Sequence, residues 1–160
     1  MQPVARMIVV GIVLALVAPP TPSLAQATLP EIGTWELNLA KSKYDPGPPP
    51  KSSTRTYEVA GQGVKYAVKG IDAAGKPTLS QFTANFDGKD YPMTGSAISD
   101  TVSLKRIDTW TVETTQKKAG KVVAVTTRVI SKDGKVMTVT GKTVNAQGQP
   151  TNNVTVYDKK

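Results

Sequence analysis

From Gly33 onward, apolar and polar residues alternate with period two in short runs rich in Val, Thr and Tyr. Such side chains suit a pleated, half-buried surface, so the pattern predicts strands near 34–39, 54–60, 63–70, 78–86, 90–94, 100–107, 109–117, 121–131, 135–143 and 152–158. No window carries the apolar stripe of a helix. The punctuation between runs is regular: Ala60-Gly61-Gln62-Gly63, Ala74-Gly75, Asp87-Gly88, Ala119-Gly120, Asp133-Gly134 and Gln147-Gly148. Glycine at these points supplies the positive φ of tight hairpin turns. Short strands separated by such turns predict an antiparallel meander.

An open meander of about ten strands leaves two bare edges, and closure removes both. The expected fold class is therefore all-β: an up-and-down barrel of about 8–10 strands, with a β-sandwich as the alternative. A barrel of this size holds its own side chains or one small ligand. The pattern A-x-G-x-P-T occurs twice between strands, at Ala73–Thr78 and Ala146–Thr151, and predicts one loop geometry used twice. Residues 41–53 break the rhythm. Their centre, Asp45-Pro46-Gly47-Pro48-Pro49-Pro50, favours extended backbone and predicts a stiff loop at the barrel mouth.

The start of the chain has another character. Arg6, the apolar stretch Met7–Ala18 and Ala25-Gln26-Ala27 read as a secretory signal peptide over residues 1–27. Twelve apolar residues are too few to cross a hydrocarbon core of roughly 30 Å as a helix. The expectation is a single domain over 28–160, periplasmic or secreted, monomeric, with no stable membrane span. Cysteine is absent, which excludes a lipoprotein anchor and disulfides. Without Arg6, nineteen basic side chains face twelve acidic ones. The lysines are scattered through turns and strand margins, densest at Lys117-Lys118-Ala119-Gly120-Lys121, as solubility requires. Zinc spacing, basic helices and aromatic RNA-binding strands are all missing, so no nucleic-acid partner is expected.

Histidine is absent too, and with it Ser-His-Asp and Cys-His machinery and ordinary zinc or copper sites. Most aspartates fall in turns, where they cap their own backbone. In Phe86-Asp87-Gly88-Lys89-Asp90, the lysine between two aspartates opposes a calcium ion. Alternation puts Glu36, Glu58 and Glu113 on outward faces. No catalytic residues, cofactor or metal site are expected. The same alternation turns Trp35, Arg55, Tyr57, Tyr66, Arg106 and Trp110 inward. It leaves Arg128 ambiguous, because Val123, Val125 and Val129 are apolar on the opposite parity.

Gly33-Thr34-Trp35 on the first strand resembles the Gly-x-Trp start of the calycins, the lipocalins and fatty-acid-binding proteins. Arg128–Thr140, RVISKDGKVMTVT, is similar to a late hairpin of the fatty-acid-binding group, and Thr155-Val156-Tyr157-Asp158-Lys159 looks like its last strand. GTWELNLAKSKYDPGPPPKS, DGKDYPMTG and SKDGKVMTVT together resemble small exported bacterial proteins of unassigned function. The resemblance implies a calycin-like barrel, a tryptophan across its closed end, and Arg128 and Tyr157 facing inward. Thr155 stands where that group carries a carboxylate-gripping arginine, and the proline loop replaces its helical lid.

The resulting expectation is a non-enzymatic binding protein for a small hydrophobic or amphipathic, possibly acidic, molecule. Its site residues would be Arg55, Tyr57, Tyr66, Arg106, Trp110, Arg128 and Tyr157, around a mostly apolar cavity with a few polar groups. The alternative is an envelope or extracellular module whose basic loops meet an anionic polymer or a protein.

Overall fold

A computed structural model describes residues 29–145 and 147–160; the expected signal peptide lies outside them. Ten strands follow one another: β1 Gly33–Leu37, β2 Ser52–Ala60, β3 Gly63–Ile71, β4 Pro77–Asn85, β5 Tyr91–Thr94, β6 Thr101–Arg106, β7 Thr111–Lys118, β8 Lys121–Ile130, β9 Val136–Val144 and β10 Pro150–Lys159. Each pairs antiparallel with its neighbour in sequence, and β1 pairs with both β2 and β10. The sheet is thus a closed up-and-down barrel, and the two-layer sandwich does not form. Among the described residues, no helix is long and apolar enough to cross a membrane.

The seam lies at Trp35, whose backbone stands opposite Arg55 on one side and Lys159 on the other. Beyond Leu37 the strand gives way to a 3-10 turn, Leu39–Lys41, capped by the Asn38 side chain. The edge of β10 does not stay bare there. Ser42 Oγ accepts the Val156 N–H at 2.9 Å, and Lys43 exchanges two backbone hydrogen bonds with Val154. Asp45 then receives the Asn152 N–H on its carbonyl, while its own N–H donates to Asn153 Oδ1 at 3.1 Å. The first residues of the proline loop therefore continue the work of β1.

Alternating connections sort the two ends. Residues 38–51 share the mouth with the β3–β4, β5–β6, β7–β8 and β9–β10 connections. The lead-in Leu29–Ile32 lies at the other end with the β6–β7 and β8–β9 turns. The repeated A-x-G-x-P-T motif forms one geometry twice at the mouth. Asp72 N–H donates to the Lys76 carbonyl and Gly75 N–H to the Asp72 carbonyl; Asn145, Gln149 and Gly148 repeat both bonds. The side chains agree, since Asp72 Oδ1 accepts from Lys76 N–H and Asn145 Oδ1 from Gln149 N–H.

Two tiers fill the interior. The lower one is apolar and solid, built from Trp35, Val64, Ala84, Val102, Leu104, Val112, Ile130 and Met137. The upper one is polar, because the inward positions of β7, β8, β9 and β10 become Thr114, Gln116, Thr126, Thr143, Asn153 and Thr155. This corrects the expectation of a mostly apolar cavity: apolar alternation ends halfway up these strands. Gly141, at φ 151°, lies where β9 meets this tier, and a Cβ there would collide with the Val125 carbonyl.

Candidate functional site

The lower tier closes on an acid. Leu29–Ile32 makes a tight turn that carries Glu31 into the barrel, where it is 1 % exposed. Its backbone carbonyl accepts the Trp35 indole N–H at 2.8 Å. Its Oε1 receives Arg106 at 2.5 Å and Arg128 at 3.2 Å, while Oε2 is buried without a hydrogen bond. Arg106 also lies 3.9 Å from the Phe86 ring centre and donates to the Thr109 carbonyl. Arg128 stands 4.6 Å over Tyr57. Both guanidiniums of the floor are thus matched to one carboxylate, as charges removed from water require.

Above the floor opens a cavity of about 200 Å³, lined among others by Arg55, Tyr66, Phe82 and Arg128 and by the polar upper tier. It continues past Thr143 and Asn153 into a wider mouth of about 500 Å³ between the proline loop, the β3–β4 turn and the β9–β10 turn. Arg55 dominates this space. Its guanidinium lies 4.4 Å over the Tyr157 ring, whose hydroxyl is 3.4 Å from Ser53 Oγ. No carboxylate pairs with it among the described residues, and its Nε is buried without a hydrogen bond. Burial works against this charge, but Tyr157, Tyr66 and Tyr57, once they ionise at alkaline pH, outweigh it and hold the Arg55 pKa above its ordinary value.

The phenols respond in kind. Burial pushes the Tyr66 pKa above its ordinary value, although Arg55 opposes this. Burial pushes Tyr44, on the proline loop, up to about 12, with Tyr157 adding and Arg55 opposing. These hydroxyls stay protonated at neutral pH and can donate to an anion. Among the described residues, three inward guanidiniums face one inward carboxylate, a surplus of positive charge that a bound anion would neutralise.

Of the residues expected at a site, Arg55, Tyr66 and Arg128 line the cavity together. Tyr57 and Tyr157 lie buried beneath the guanidiniums as supporting rings. Arg128 points inward, and Val125 and Val129 of the opposite parity face solvent. Two expectations require correction. Arg106 is held by Glu31 and Phe86 at the closed end, away from the cavity. Trp110 lies outside the strands, in the β6–β7 turn, where it borders an outer hollow with Leu29, Pro30 and Ile32. Its backbone N–H is taken by Asp108. The expected strand 109–117 begins two residues ahead of β7, where the chain is still turning.

Glu31 carried no pattern of its own in the sequence. Elimination points to it, since Glu36, Glu58 and Glu113 face outward on their strands and three inward arginines need an acid. Thr114 and Thr126 were hidden for a different reason: threonine occurs on both faces of β7 and β8, so alternation gives it no side. Among the described residues, no cluster of three or more acids is placed to hold a metal ion. Neither the known protein-family models nor the curated proteins include a match to this chain.

Proposed function

We propose that this barrel is an exported, non-enzymatic carrier or sequestering protein for a small amphipathic acid, bound head-inward beside Arg55. The single observation that carries this reading is the unpaired Arg55 in a cavity lined also by Arg128. A guanidinium presents a planar edge of N–H donors matched to a carboxylate, and an acid in the cavity would meet the Nη edge of Arg55, since its Nε is sealed from the cavity. The calycin resemblance of Gly33-Thr34-Trp35 supports carriage over catalysis. Cavity size bounds the ligand: about 200 Å³ falls below the roughly 300–1,000 Å³ of drug-sized sites, so the interior suits a short acid.

Native mass spectrometry of protein purified from its own cell envelope tests the proposal. The expected result is an adduct that dissociates as a small acid. Protein that carries none, and takes up none from a panel of short carboxylates, would overturn it.

A further inference from the structure

We infer that the acid is a single-ring aromatic carboxylate bearing a ring hydroxyl, the chemical class of 4-hydroxybenzoate; this rests on the acid-binding reading above. Three features of the cavity point to that class. The first is an aromatic wall. Tyr57, Tyr66 and Phe82 form a ladder across β2, β3 and β4, with ring centres 4.9 Å and 4.6 Å apart and the Tyr66–Phe82 pair stacked at 28°. Tyr66 and Phe82 both face the cavity, so a ligand ring would extend the ladder. Offset stacking favours a flat aromatic ring over a saturated ring of similar size.

The second feature is the opposite wall. Going around the barrel, β8 lies five strands from β3, and its Thr126 lines the cavity beside Thr114 and Gln116 of β7. Gln116 Oε1 already accepts from Ser99 Oγ at 3.2 Å. Thr114 and Thr126 turn their hydroxyls to the cavity wall, and among the described residues neither side chain makes a hydrogen bond, so both can meet a polar group on the ligand. A long aliphatic chain would bring nothing to satisfy them. The third feature is room, because the inner cavity of about 200 Å³ matches one ring with its carboxylate, and a lipid tail would have to run out into the mouth.

Calorimetric titration of the purified protein with 4-hydroxybenzoate, benzoate and cyclohexanecarboxylate tests the inference. Benzoate should bind about three- to tenfold more tightly than cyclohexanecarboxylate, the gain that stacking supplies. 4-Hydroxybenzoate should bind more tightly than benzoate, and Thr126→Val should shrink that second preference, read as the ratio of the two affinities within the variant. Phe82→Leu should shrink the first preference while cyclohexanecarboxylate still binds. Equal binding of benzoate and cyclohexanecarboxylate would overturn the aromatic assignment and leave the acid-binding reading standing. A hydroxyl that adds nothing would overturn the assignment of the polar wall. If none of the three acids binds but another short carboxylate does, the inference falls alone; if no carboxylate binds, both readings fall.

Discussion

Glu31 Oε1 accepts Arg128 Nη2 at 3.2 Å on the floor of the barrel, and both side chains are almost wholly excluded from solvent. The pair joins the lead-in before β1 to the middle of the cavity wall. Arg106 adds a second guanidinium to the same oxygen.

Replacing the acid while keeping its shape should therefore be costly. Glu31→Gln leaves two guanidiniums facing a neutral amide, and breaking a buried pair in this way typically costs about 3–5 kcal/mol. Urea unfolding should show that loss. Adding Arg128→Met should recover part of it, because the orphaned charge is removed together with its partner.

Trp35→Ala should lower stability by about 3–5 kcal/mol, the usual range for deleting a buried aromatic. Trp35 is fully buried, donates its indole N–H to Glu31 and lies under the Lys159 ammonium at 5.0 Å. The same urea experiment measures it. A change below about 1 kcal/mol would mean that Trp35 does not close the floor.

Fold class was legible because the upper and lower halves of nearly every strand share the same turn punctuation, which sets strand number independently of what faces inward. Predicted and observed strands differ by at most two residues at any end; the early start of 109–117, by two residues, is the one that draws Trp110 into the barrel. The floor was harder to read. Glu31 sits in a four-residue lead-in with no periodicity, and its role exists only once Arg106 and Arg128 have been brought to it by strands far along the chain. The cavity was legible in its cations and invisible in its threonines, since an inward threonine and an outward one look alike in a Thr-rich strand.

Alkaline pH should weaken the fold through the phenols. Tyr44 has an ordinary value of 10.0 and is raised to about 12, chiefly by burial, and Tyr66 shifts the same way. A raised folded-state value gives a contribution that is complete below pH 10 and is lost as pH rises toward 12. Denaturant midpoints should fall across that window. Ultraviolet titration should show Tyr44 and Tyr66 ionising above the ordinary value of 10.0.

Acid should act through surface aspartates. Hydrogen bonds lower Asp87, through Lys89 N–H, and Asp108, through Trp110 N–H, below their ordinary value of 3.8. Ser131 does the same for Asp133, and Asn38 for Asp158. A depressed folded-state value gives stability that is present above pH 3.8 and is lost as pH falls through the folded value. Midpoints should therefore decline below about pH 4, and Asp158→Asn should reduce the slope of that decline.

The central claim is that Arg55 is a cation awaiting an anion inside the barrel. Nuclear magnetic resonance of the Arg55 Nε–H, assigned by its disappearance in Arg55→Lys, observes that group directly while benzoate is added to the folded protein. The expected result is a saturable shift of that resonance as the carboxylate docks on the Nη edge of the same guanidinium. An Arg55 Nε–H unmoved by benzoate and by every other short carboxylate up to high concentration would contradict it.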